Sequence, residues 1–366
     1  AAMAMNRGVH VVGVGRGPFT APQPDTNAAV LGAQAARAAI ADAALDGNLV
    51  QHAFLASTIQ EPNWASSAVC AAEMAGIPAF RVSTDDLGGA HALHRAREAV
   101  ANFSVECALI LGIHTGAACS KNGEARDEAR CRIARTSTSL YGTRPETFAR
   151  MAVKARRHAA RNPLATDRRA LGLSEILDSD ALSDSPRGLQ CSAPRVGAAA
   201  VILCSTDFAR RHRLDKRVSV DAQAIERMAG SLDVPRASEI AARKVYAEAG
   251  IGPEHLDLVE LHDDDTASEL LAYESLHLVS KGGAERFVLG GGNTYGGLVG
   301  INPPVGWLRL GNAGAANALA QCAELVWQLR GAARCRQVEG ARAALQHAVD
   351  HETGTCVVTL YRAEVR

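Results

Sequence analysis

Residues 262–265 read His-Asp-Asp-Asp, a run rich enough in oxygen and nitrogen donors to suggest a hard cation. Side chains on consecutive residues rarely all face one ion, so a metal is not expected there. His91 and His94 are three apart on one predicted helix, a spacing that suits a metal but lacks a third ligand. Residues 290–297 read GGGNTYGG, which does not fit the G-x-G-x-x-G pattern between a strand and a helix and is expected to be a tight turn. Nine cysteines are irregularly spaced with no CxxC pair, which argues against a cysteine zinc site and for a reducing, cytoplasmic setting. Lys154, Arg156 and Arg157 form a basic run, either a solvated helix face or a contact for a phosphate-bearing ligand such as coenzyme A. Trp64, Trp307 and Trp327 are expected to pack.

The elements that must position these residues follow from the pattern. The chain has 366 residues, enough for two α/β halves with sizeable cores, and 47 % of them are hydrophobic, which excludes a largely disordered protein. Lysine plus arginine equals aspartate plus glutamate at 39 each, so charge offers no reason to expect nucleic acid or an acidic membrane. No run is long and apolar enough to span a bilayer, no secretory signal pattern is visible, and residues 1–5 are left out of the fold reading. Strands over 10–14, 53–57, 80–83 and 107–111 alternate with helices over 27–44, 66–74 and 90–101. Residues 113–192 break this rhythm with a polar, arginine-rich stretch holding one good helix over 145–161. After a strand at 197–203 the theme repeats: strands at 218–222 and 258–261, helices at 238–249 and 266–276, an amphipathic helix at 315–329 and closing strands at 343–346 and 356–360.

Several stretches resemble thiolases, in particular the sterol-carrier-protein thiolase branch. HDDDTASELLAYESL at 262–276 is similar to that branch's HDCF-type motif and the helix after it. GGNTYGG at 291–297, INP at 301–303, AELVWQLRG at 323–331, the N-terminal GVGRGPF and the GAAAVIL run at 197–203 match in place and order. The resemblance covers nearly the whole chain. It implies an α/β thiolase fold: two similar βαβαβαββ halves packed as a five-layered α/β/α/β/α sandwich. The first half would take residues 1–112 plus 193–215, an inserted loop and cap region 113–192, and the second half 216–366. A homodimer is the implied assembly.

The resemblance also implies where the chemistry lies. Thiolases carry a nucleophilic cysteine at the start of a buried helix, where the helix N-terminus favours the thiolate. The matching stretch here is TDDLGGAHALH at 84–94, which places Asp86 at that position, with Cys70 and Cys107 the nearest cysteines. The loop that holds the activating histidine in the family reads LGNA at 310–313, placing Asn312 there; the last motif reads HAVDH at 347–351, with Asp350 and His351 where glycines are expected. His262 keeps its motif, although Asp265 replaces a bulky hydrophobe.

Two readings follow. In one, the site is rebuilt: His262 and Asn312 form an oxyanion hole, Asp86 is a base and His351 joins them, a set suited to retro-aldol cleavage of a β-hydroxyacyl thioester. Burial would raise the Asp86 pKa and the helix terminus lower it. Asp265, Tyr295 and Asp350 would then contact substrate, and no cofactor is needed beyond a coenzyme A thioester as substrate. Cysteine-free thiolase-like aldolases of this kind work beside a small OB-fold partner, although they place tyrosines in the site. In the other reading the protein is an inactive acyl- or lipid-binding accessory subunit.

Overall fold

The computed structural model describes residues 7–57, 63–115, 134–179, 188–227, 234–304, 306–351 and 353–364. Among these residues ten strands run in chain order: β1 Val9–Arg16, β2 His52–Ala56, β3 Val82–Asp85, β4 Cys107–His114, β5 Gly197–Ser205, β6 Val218–Arg227, β7 Leu258–Glu260, β8 Gly300–Ile301, β9 Ala343–Asp350 and β10 Thr355–Ala363. Their spatial order is β3-β2-β4-β5-β1-β6-β10-β9-β7-β8. Read outward from the middle, β1-β5-β4-β2-β3 and β6-β10-β9-β7-β8 are the same sequence of roles, so the chain builds one five-stranded arrangement twice. Among the described strands, the two are joined where β1 and β6 pair antiparallel, His10 with Ser219 and Val11 with Val218.

Side-chain alternation along the strands sorts the layers. In β4, Leu109 and Leu111 pack with β2 and the helices Ala28–Asp42 and Trp64–Met74 on one outer face, while Ala108 and Ile110 face the middle. In β9 and β10, Leu345, Val358 and Leu360 pack with helices Val234–Ala249 and Thr266–Ser275 on the opposite outer face, while Ala344 and Tyr361 face the middle. The central layer holds Gly89–Ala101 and Ala315–Leu329, whose buried residues are mostly alanine and leucine. These are the five layers of the sandwich. The central helices come close because Gly89 lacks a side chain: a Cβ there, or on Gly112 of β4, would run into the carbonyl of Ala315.

Between β4 and β5 lies a cap whose helix Pro145–Arg161 starts with proline, a residue suited to a first helical turn. Ala149, Ala152 and Val153 of this helix pack on Ile176 of helix Leu173–Ser179 and on Leu308 and Leu310, which anchors the cap over the 306–312 segment. His158 reinforces it by bonding the Asn302 carbonyl at 2.9 Å and Thr294 Oγ1 at 2.8 Å. Short helices at Thr206–Arg211 and Ala284–Leu289 were not legible as periodic patterns, because six residues span less than two turns.

Candidate active site

The 261–265 loop leaves β7 and enters helix Thr266–Ser275. Asp265 caps that helix, its carboxylate accepting the Ser268 N–H and Oγ–H at 2.8 Å each. Asp264 accepts Ser192 Oγ–H at 2.6 Å and Asn312 Nδ2–H at 3.1 Å. Asp263 lies against Gly306 and Asn302. All three aspartates are buried, and Asp264 and Asp265 bond different neighbours. The arrangement is a set of anchors, and among the described residues no group of three metal-ligating side chains occurs. Asp265, expected at the substrate, starts this helix.

His262 is 2 % exposed. Its backbone N–H donates to Nδ1 of His347 at 3.3 Å, and His347 Nε2 lies 2.8 Å from Ser238 Oγ. Since Nδ1 accepts, Nε2 carries the proton and donates to the hydroxyl, whose own hydrogen goes to the Val234 carbonyl at 2.8 Å. Burial, with His351 nearby, pushes the His347 pKa down to about 3, so this imidazole is neutral and serves as a fixed post. Just past the end of β9, the His351 ring meets the His262 ring edge-on, centroids 5.1 Å apart at 60°. Asp350 beside it accepts the Thr353 N–H at 3.0 Å in the turn to β10.

Asn312 is held from both sides. Its backbone N–H donates to the Ala193 carbonyl at 2.7 Å and its carbonyl accepts from Arg195 N at 2.8 Å. Its Oδ1 accepts from Gly314 N at 2.9 Å and Asn317 Nδ2 at 3.0 Å, while one Nδ2 hydrogen goes to Asp264. These bonds fix the amide orientation, and among the described residues the second Nδ2 hydrogen has no partner. Three separately folded segments thus meet around residues 262–264: the β7 loop, the turn before Ala315–Leu329, and the end of β9.

Asp86 does not share their burial. It is exposed, on the turn between β3 and Gly88, which precedes helix Gly89–Ala101. The expectation of a buried carboxylate at this position is corrected: the buried one is Asp85, 4 % exposed. Asp85 accepts from His91 Nδ1 at 2.8 Å, Leu87 N at 2.9 Å and Arg95 at 3.3 Å. Burial alone would raise its pKa, but these bonds outweigh it and hold the group below the usual carboxylate range. The end of β3 in the sheet seals Asp85, while the following turn lifts Asp86 out. Among the described residues, no hydrogen bond, ion pair or ring contact joins Asp86 to His262, Asn312 or His351. Helix Gly89–Ala101 does reach the same region through Ala90, which packs with Ala318 and Ala348.

Tyr295, expected to contact substrate, is half-buried and tied to two loops. Its hydroxyl lies 2.8 Å from the carbonyls of both Pro303 and Arg336, and its ring packs edge-on against His158. Burial pushes the phenol pKa up, so the group is a neutral tie between loops. Sequence reasoning missed the positioning partners Ser192, Ser238 and Asp264. Asp264 was visible inside the acidic run, whereas the serines carry no distinguishing signal.

The cysteines are dispersed. Cys107, Cys204, Cys322 and Cys356 are buried in strands or a central helix, and burial pushes the last three thiols up to about 12 and Cys107 higher still. Cys70 and Cys335 are exposed. Cys191, half-buried, forms a backbone bridge with Asp265. Cys119 and Cys131 lie outside the described residues.

A family model described as "Thiolase C-terminal domain-like" matches residues 218–361. Sterol carrier protein 2 of Oryctolagus cuniculus is 32 % identical over 401 residues, covering 97 % of this chain and 72 % of that protein. The chain belongs to the thiolase family, in its sterol carrier protein 2 branch. Within that family it is also 30 % identical over 369 residues to benzoylsuccinyl-CoA thiolase subunit BbsB of Thauera aromatica, covering 94 % and 95 % of the two chains. Among solved structures, an Ltp2-ChsH2(DUF35) aldolase shares the fold with a TM-score of 0.82, at 20 % identity over the full length of both chains. The thiolase-family β7 loop and the turn at Asn312 therefore sit in a fold associated with acyl thioester chemistry.

Proposed function

We propose that this thiolase-family protein acts on acyl-CoA or another acyl thioester without a cysteine nucleophile, cleaving a β-hydroxyacyl thioester by a retro-aldol step. No cysteine lies between Cys70 and Cys107, the stretch that contains the turn into the first central helix. A base removes the 3-hydroxyl proton, the C2–C3 bond breaks, a carbonyl fragment leaves, and the electron pair becomes a thioester enolate that is then protonated at C2. His262 and Asn312 hold the enolate oxygen, His351 shields and orients His262, and Asp86 on its exposed turn is the base. The observation that carries this reading is the meeting of three segments at residues 262–264, with Asn312 fixed by five hydrogen bonds around its amide and backbone. The solved fold relative named as an aldolase supports it.

The exposure of Asp86 favours a second reading, an accessory subunit that binds acyl thioesters without turning them over. A panel of 3-hydroxyacyl-CoA thioesters, assayed for carbonyl product and the shortened acyl-CoA, separates the two. Turnover lost in Asp86→Asn and His262→Ala supports catalysis; acyl-CoA binding with no turnover of any thioester supports the accessory role.

The assembly we propose is a homodimer that also takes a small OB-fold partner. β3 is the outermost strand of its half, with Phe80 82 % exposed just before it, and unpaired strand edges favour pairing. The words "subunit" and "ChsH2(DUF35)" in the names of the relatives support a second chain. A reducing, cytoplasmic setting is proposed from the irregular spacing of the nine cysteines.

A further inference from the structure

We propose that Arg156, Arg195 and Arg309 form a binding site for one oxyanion group, a phosphate or a carboxylate, where the cap meets the segment leading to Asn312. The basic run of the sequence is divided by the fold. Lys154 pairs with buried Glu269, and Arg157 is exposed. Arg156, 2 % exposed, turns toward Asp167, which it reaches at 3.1 Å. Arg309, from the short helix Trp307–Leu310, reaches the same carboxylate oxygen at 2.5 Å. Arg195 lies against Gly311 and gives an N–H to the Pro194 carbonyl at 3.2 Å.

Charge in this cluster does not balance. The charged groups acting on Arg309 are Arg156, Asp167 and Arg195, two cations and one anion. Desolvation first, then Arg156 and Arg195, push its pKa down, while Asp167 pulls the other way. Arg156 and Arg309 share one carboxylate, Asp167, which is itself 44 % exposed, and Arg195 adds a third positive charge acting on Arg309. The Nε atoms of Arg156, Arg195 and Arg309 are all buried, and among the described residues none has a hydrogen-bond partner. Leaving charged donors buried and unpaired is costly, so these three Nε–H groups have unused capacity for an added acceptor. An oxyanion supplies the missing acceptors and charge, and guanidinium forks match carboxylate and phosphate geometry.

The site adjoins the candidate active site through the backbone. Arg195 donates its N–H to Asn312, and Arg309 precedes Asn312 by three residues. An oxyanion held here belongs either to the phosphate-bearing end of the thioester carrier or to a carboxylate on the acyl group. The inference goes beyond the proposed reaction and holds whether or not a C–C bond is cleaved.

Titration of the full chain with inorganic phosphate and with succinate, followed by calorimetry, tests it. Saturable binding of at least one is expected, with phosphate preferred if the carrier end docks and succinate preferred if an acyl carboxylate does. Arg309→Gln should weaken that binding at least tenfold. Asp167→Asn should tighten it at least threefold, because it removes the internal competitor, and a structural staple predicts no such gain. Should Arg309→Gln fail to fold, the Asp167→Asn result decides alone. Absence of saturable binding of both anions, or unchanged or weaker affinity in Asp167→Asn, overturns the proposal.

Discussion

His351 stands edge-on to His262 with ring centroids 5.1 Å apart, joining the end of β9 to the loop after β7. If this pair holds an enolate, His262→Ala should lower turnover of a reactive thioester about 100- to 1000-fold, the usual cost of losing an oxyanion donor. His351→Ala should lower it less, since its ring acts through His262. Both variants should keep wild-type acyl-CoA affinity within a few-fold. Steady-state kinetics with binding measured separately checks this.

Buried neutral histidines set an acid limit on stability. His347 and His158 are each held at about 3 against an ordinary 6.5, chiefly by burial. Because their folded pKa values are depressed, protonation favours the unfolded chain. Their contribution is fully present above pH ~6.5 and is lost as pH falls toward ~3, at up to about 1.4 kcal/mol per pH unit for each histidine. Urea unfolding across this range should show the decline, and His158→Gln should flatten it between pH 6 and 4.

Lys154 of the cap and Glu269 of helix Thr266–Ser275 form a buried ion pair, and the Tyr273 hydroxyl also donates to Glu269. Lys154→Met should cost roughly 3–5 kcal/mol by leaving Glu269 uncompensated. Adding Glu269→Gln should recover much of that loss. Chemical denaturation of both variants measures the difference.

Gly89 and Gly112 permit the close approach to Ala315 that joins the two central helices. Gly89→Ala should destabilise by about 2 kcal/mol or more, because the added Cβ meets backbone rather than a movable side chain. Thermal unfolding with circular dichroism checks it. A wild-type melting temperature would show that the helices separate freely.

The fold was largely legible in the sequence. The helices Pro145–Arg161 and Ala315–Leu329 match the periodic pattern at both ends, and the repeated strand–helix rhythm gave two halves. Strand ends were less legible: β6 runs on to Arg227 and β9 to Asp350, because hydrogen-bond pairing with β10 extends them past the apolar stretch. The site was legible in part. The family resemblance singled out His262, Asn312 and His351, which belong to connected segments. It did not distinguish Asp85 from Asp86, since burial changes over one residue where a strand ends and a turn begins. Nor did it show that Asp265 and Tyr295 are occupied by a helix N-terminus and two carbonyls.

The central claim is that thioester chemistry proceeds here with no cysteine-bound acyl intermediate. Intact-protein mass spectrometry after incubation with acetyl-CoA tests it directly, with peptide mapping of any adduct. The account predicts an unmodified mass. A stoichiometric acetyl adduct mapped to a cysteine, Cys191 beside Asp265 included, would contradict it.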